Sequence, residues 1–200
     1  AKVDFGEFNL SIISSFPDFK FTINDVVVDG IGKFEGTKLA GIGTFETTLD
    51  LMSVINGEQI KIKSFQIIDL VANAIVLKDS TANWDIVKST GQEEVAEEVP
   101  DTAAPTKFSM ALQYYAIKNA NIVYDDALGD MYAEIKNFSH EGNGDFTQDI
   151  FLLNTSTSIE EITYKMEGLN YLNKANIEMK FDIEMDMPNS RYTFKENTFR

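Results

Sequence analysis

"IEMKFDIEMDM", residues 177–187, decides how this chain is read. Ile177, Met179, Phe181, Ile183, Met185 and Met187 alternate with Glu178, Lys180, Asp182, Glu184 and Asp186. Successive strand side chains leave opposite faces, so a period of two gathers the apolar groups on one side and the charges on the other. A helix of the same residues would scatter both sets around its axis. The stretch is therefore a strand with one dry face, and at about 3.3 Å per residue it is roughly 35 Å long, comparable to a lipid.

The same alternation continues outward in both directions. "FKFTINDVVVDG" (19–30), "TFETTLDL" (44–51), "QIKIKSFQII" (59–68) and "NAIVLKD" (73–79) precede it, as do "KFSMALQYYAI" (107–117), "NIVYDD" (121–126), "MYAEIKNF" (131–138), "DIFLLNT" (149–155) and "ITYKME" (162–167); "RYTFKENTF" (191–199) follows. Gly, Asn and Asp lie between most of them, as turns require. Only "SIISSF" (11–16) and "LMSVING" (51–57) suit a helical turn, the second with Asn56 and Gly57 as its stop. The expected fold is mainly β: an elongated, curved, largely antiparallel sheet with an apolar concave face and one or two short helices.

Residues 89–106, "STGQEEVAEEVPDTAAPT", break the pattern, with no aromatic or basic side chain and two of the four prolines. So little apolar surface cannot offset the entropy of ordering, which predicts a flexible acidic linker. The expected organisation is a first β portion over 1–88, the linker over 89–106, and a second β portion over 107–200 that continues the same sheet. "NAIVLKD" at 73–79 and "NANIVYDD" at 119–126 echo one another across the divide.

Two hundred residues, 44% of them hydrophobic, supply a real core. A net charge of -15 excludes nucleic-acid binding, which depends on Lys and Arg displacing counterions, and opposes adsorption to anionic headgroups. Any lipid contact must use apolar surface. The lack of cysteine removes disulfides and thiolate metal sites. No run approaches the roughly 20 apolar residues of a spanning helix, and "AKVDFGEF" has no signal-peptide pattern. The abrupt start and the strand-like end read as a fragment of a longer protein.

Catalytic chemistry finds no foothold. Ser139, His140 and Glu141 are consecutive in "SHEGNG", and triads are assembled in space from separate segments, so His140 is read as an exposed loop residue. "GIGKFEGTKLAGIG" (30–43) has the spacing of neither phosphate-binding glycine motif. "YDDALGD" (124–130) does not meet the calcium-loop spacing, and 32 acids offer no distinguished pair. The expectation is no catalytic residue, no metal and no cofactor.

"VLKDSTANWDIVK" (76–88) contains the sole tryptophan, at the end of an alternating run. Asn83 is expected to take a left-handed turn, Trp84 to fold over the open end of the apolar face as a plug, and Asp85 to cap the next turn. A strand ending in Lys-Asp, a short turn and Asn-Trp-Asp-Ile resembles the signature of the AsmA-like family of bacterial envelope proteins. The order of "SSFPDFKFTINDVVVDG" (14–30), "KFEGTKLA" (33–40) and "TLDLMSVINGEQIKIKSFQIID" (48–69) is similar to that family, and residues 168–200 resemble its Bacteroidetes versions.

The resemblance implies a periplasmic protein of outer-membrane biogenesis, tethered to the inner membrane by an N-terminal helix outside this sequence. Its partner would be phospholipid or another envelope lipid, with acyl chains in an apolar β-groove and Ile177, Met179, Phe181, Ile183, Met185 and Met187 among the lining residues. The alternative is a closed structural β-domain acting as an envelope scaffold or protein-interaction module.

Overall fold

The computed structural model describes residues 1–11, 16–56, 59–85 and 107–200. Ten strands form one open, curved sheet: β1 Lys2–Asp4, β2 Phe8–Ser11, β3 Asp18–Asp29, β4 Lys38–Asp50, β5 Gln59–Val76, β6 Lys107–Asp126, β7 Met131–Asn143, β8 Ile150–Met166, β9 Leu169–Asp186 and β10 Arg191–Phe199. β1 and β2 lie end to end along β3, and from β3 the strands follow in chain order to β10. The helix α1, Leu51–Asn56, falls where the sequence predicts one, and the side chain of Asp50 starts it by accepting from Ser53 N at 2.8 Å. Residues 12–15 and the linker 89–106 lie outside the described residues.

Every ladder is antiparallel except the central one, where β5 and β6 run parallel from Gln59–Lys107 to Val76–Asp126. The two echoing stretches meet at this seam, with Asn73–Val76 beside Val123–Asp126.

Residues paired across a ladder project from the same face, so the registers trace each face from edge to edge. One row runs Phe8, Ile23, Phe45, Ile67, Ile117, His140, Thr157, Met179, Phe199. Two residues along, on the same face, run Leu10, Phe21, Thr47, Phe65, Tyr115, Gly142, Thr155, Phe181 and Asn197. Between them, on the opposite face, lie Asn9, Thr22, Glu46, Gln66, Ala116, Glu141, Ser156, Lys180 and Thr198. The alternation read from 177–187 is clearest on β2, β3, β5 and β9, while Thr47, His140, Gly142, Thr155, Thr157 and Asn197 interrupt the apolar rows.

Several expected strands are halves of longer ones, because β5, β6 and β8 each run through an Asn-, Asp- or Glu-containing stretch that the sequence presents as a break. Asp25, Asp69, Asn119, Asn137 and Lys174 are left-handed, with φ of 54°, 55°, 55°, 51° and 53°. All lie inside strands, and the ladders bring them into one line from β3 to β9. Gly43 fills the β4 position of this crease, where a Cβ would come 2.9 Å from Asp69 Cβ.

A left-handed residue leaves backbone groups out of the ladder, and neighbouring side chains take them up. Asn119 N donates to Ser139 Oγ at 3.1 Å, Asn137 N to Asn121 Oδ1 at 3.2 Å, and Lys174 N to Thr163 Oγ1 at 3.4 Å. Asn and Asp tolerate this conformation better than other side chains, which accounts for four of the five positions. At the crease the apolar series resumes three residues on instead of two: Ile23 to Val26, Ile67 to Leu70, Ile117 to Ala120.

Candidate functional site

The apolar face below the crease is a continuous feature with a chemical character. All ten described strands belong to one sheet and α1 rests on β4 and β5, so no second sheet packs on this face among the described residues, although Phe151, Leu153 and Thr157 of β8 are buried in it. Among the described residues few apolar side chains are buried: Phe34, Leu112, Ala116, Ala120, Phe151, Leu153 and Ile159. Phe8, Leu10, Tyr192, Phe194 and Phe199 are exposed at its two edges.

Of the predicted lining residues, Ile177, Met179, Phe181, Ile183 and Met185 are half-buried in β9. Met179 pairs with Thr157 and Phe199, Phe181 with Thr155 and Asn197, and Met185 with Phe151 and Tyr192. Met187 is a correction. It lies past the end of β9, exposed, in a turn where Ser190 N donates to its carbonyl at 3.2 Å and Pro188 follows it. Asp186 also departs from the solvated face expected of it: it is 2% exposed and organises that turn. The side chain and N–H of Asn189, with the Arg191 guanidinium at 3.0 Å, hold its carboxyl below the ordinary carboxylate range.

The loop between β7 and β8 folds over one end of this face. Gly144 N and Phe146 N donate to Gln113 O and Leu112 O, which lays the Phe146 ring 4.7 Å from that of Phe151 and 6.5 Å from that of Tyr115. Gly142 is required under Tyr115, because a Cβ there would sit 2.3 Å from its ring.

His140 is a second correction: it belongs to β7, not a loop, and its ring stands in the middle of the apolar row. Tyr115 lies tilted against it at 5.6 Å and Phe138 stacks on it at 6.4 Å, while Nδ1 meets Thr157 Oγ1 at 2.8 Å. Burial pushes the imidazole below its usual value, partly opposed by Glu141. The signal for it was the two-residue spacing from Phe138, masked by the glycines that follow. Glu141 points to the other face, where it accepts from Tyr114 Oη at 3.0 Å, so Ser139, His140 and Glu141 do not converge.

The Asn83–Trp84–Asp85 segment exchanges the expected roles. After β5 outruns β4, the chain turns back through a bridge from Val76 to Ala82. Ser80, not Asn83, is the left-handed residue of that turn, with φ 64°. Asn83 is the plug: it is 5% exposed, its Oδ1 accepts from Ile75 N at 3.0 Å, and its Nδ2 donates to Asn73 O at 2.6 Å. The amide side chain substitutes for the missing strand neighbour. Trp84 remains 52% exposed, stacked at 6.2 Å on Tyr124 beside an apolar hollow of about 290 Å³ floored by Ala40, Ala72 and Ala74. Asp85 is exposed, and its N–H donates to Ala82 O at 3.2 Å. Lys33 braces the turn through Asp79, and that ammonium, with the Thr81 hydroxyl and N–H, holds the Asp79 carboxyl down to about 2.

The acids of "YDDALGD" serve a turn, Asp126 Oδ1 accepting from Leu128 N and Gly129 N. In "GIGKFEGTKLAGIG", Gly32–Phe34 form a 3-10 turn. No helix among the described residues is long and apolar enough to cross a membrane. Comparison with family profiles, curated proteins and solved structures finds no match for the chain. Any functional reading therefore starts from the amphipathic sheet.

Proposed function

We propose that this chain is a non-enzymatic, lipid-handling module whose apolar face is a groove for acyl chains. The observation that carries this reading is a single sheet nine strands wide whose largely apolar face has no second sheet on it among the described residues and exposes large apolar side chains at both edges. A face of this kind is a binding surface or an aggregation hazard, and an apolar ligand is what keeps such a surface soluble. Drawing two acyl chains of about 15 methylenes into water costs roughly 24 kcal/mol at about 0.8 kcal/mol per methylene. A dry groove removes most of that barrier without binding tightly, because a bilayer at either end is equally apolar.

The dry direction runs across the strands, not along 177–187 alone. Eight spacings of about 4.8 Å make the row from Phe8 to Phe199 about 38 Å long, enough for an extended acyl chain. The resemblance of residues 14–88 and 168–200 to AsmA-like proteins supports reading this as a periplasmic module of outer-membrane biogenesis, within a protein anchored in the inner membrane. Phospholipid is the expected ligand.

The test is native mass spectrometry and lipid extraction of purified wild type, Met185→Glu and Leu153→Glu. Met185 is half-buried beside exposed Tyr192, so a carboxylate there stays hydrated and the variant should melt near wild type while losing phospholipid. Leu153 is 7% exposed, and an unpaired carboxylate there should cost several kcal/mol. Equal destabilisation of the two variants would mean a sealed core and favour the structural domain. Unchanged lipid in a stable Met185→Glu would remove this strand from the groove.

A further inference from the structure

We propose that His140 makes retention of apolar ligand by this groove pH-sensitive, acid releasing what neutral pH holds; the inference rests on the groove reading. The ring occupies the middle of the row from Phe8 to Phe199, between Ile117 of β6 and Thr157 of β8, with Phe138 and Tyr115 against it. Thr157 is buried and satisfies Nδ1, and no partner for Nε2 is seen among the described residues. A neutral ring can leave Nε2 unprotonated under an acyl chain at modest cost. An imidazolium has a second N–H that must reach water, and a chain lying along the row denies it that water. Ligand and charge therefore compete for one place.

Glu141 partly favours the charge electrostatically, but no carboxylate among the described residues hydrogen-bonds the ring on this face. On β7 itself, Glu141 projects to the opposite face and is engaged by Tyr114. On β6 the titratable neighbour on the same face is the Tyr115 phenol, whose own ionisation burial pushes up, while Lys118 lies over the Tyr114 ring at 5.8 Å. The facing stretch of β8, Thr155–Ile159, has no titratable side chain, and β9 presents Met179 and Phe181 in these rows. In the β7–β8 loop, Asp145 is bound by Thr147.

Reciprocity fixes the expected size. Each unit by which an occupied groove lowers the imidazole pKa weakens ligand binding to the protonated protein about tenfold. The probe is Nile red, a neutral apolar dye, titrated fluorimetrically at about pH 7.5 and about pH 5 into the wild type and His140→Gln, which keeps a polar group for Thr157. The Kd should rise about tenfold on acidification in the wild type and less than about twofold in His140→Gln. Because the chain has one histidine, its imidazole C–H resonance reports this site alone, and its titration midpoint should fall when Nile red is bound. An equal rise in both proteins, no rise in the wild type, or an unmoved midpoint would overturn the inference. Loss of the β signal in circular dichroism at about pH 5 would count against it too, assigning the release to unfolding. Failure of Nile red to bind at about pH 7.5 would instead refute the groove and the inference together.

Discussion

Replacing Asn119 by Ala and by Gly tests the crease that bends the sheet, because the sign of the difference between the two variants depends on the backbone conformation. In an ordinary strand interior Gly is less stable than Ala by about 0.5–1 kcal/mol, from its greater freedom in the unfolded chain. Asn119 has φ 55°, where a Cβ costs an alanine about 1–2 kcal/mol and a glycine nothing. Both variants lose the exposed bond from Asn119 Nδ2 to Asp69 Oδ1 at 3.1 Å, about 0.5–1 kcal/mol, and both keep the backbone bond to Ser139 Oγ. Asn119→Ala should therefore cost about 2 kcal/mol and Asn119→Gly about 1 kcal/mol. Urea unfolding followed by circular dichroism measures the order, with Ala72→Gly as the ordinary-strand control that must show the normal penalty. If Asn119→Gly proves less stable than Asn119→Ala, residue 119 is not left-handed and the crease is wrong.

At the Trp84 turn, Asn83→Ala should cost about 2–3 kcal/mol, leaving Ile75 N–H and Asn73 C=O without their partner, and Trp84→Ala only about 1–2 kcal/mol because half the indole is already in water. Equal urea midpoints, or wild-type emission as blue as a buried indole's, would restore Trp84 as the plug. Gly142→Ala should cost about 1–3 kcal/mol by driving a methyl into the Tyr115 ring, and a wild-type melting temperature would show that ring free to swing away.

What the sequence makes legible here is the face of each strand, and what it hides is where strands end and which way they run. The six apolar positions of 177–187 alternate in plain view, and five of them keep their place in β9; Pro188 ends the run one residue early for Met187. Asp69 and Asn119 read as separators because tolerance of positive φ serves a turn and an in-strand bulge equally, so β5 and β6 each look like two strands. Alternation has no direction, so nothing in 59–76 or 107–126 announces that these two run parallel. Trp84 stands out by size and draws the structural role to itself. The smaller Asn83 beside it holds it, because its amide accepts from the Ile75 N–H and donates to the Asn73 carbonyl at once.

The parallel seam gives the linker a requirement that its composition does not reveal. Asn83 is fastened beside Asn73 and Ile75, while Lys107 enters the sheet beside Gln59. Fourteen residues of β5 separate these points, about 46 Å along the strand at about 3.3 Å each. The 21 residues 86–106 reach at most about 75 Å when fully extended. Exchanging 91–104 for Gly and Ser of equal length keeps that reach and removes little apolar surface, so the melting temperature should stay within a few degrees. Deleting the same residues leaves seven, which reach at most about 25 Å and cannot carry the chain back to Gln59. The deletion should lose the cooperative transition of the whole sheet while the Gly/Ser exchange retains it, both read by thermal circular dichroism. A deletion variant as stable as the wild type would mean that β6 is not parallel to β5, since only an antiparallel neighbour is reachable by a connection that short.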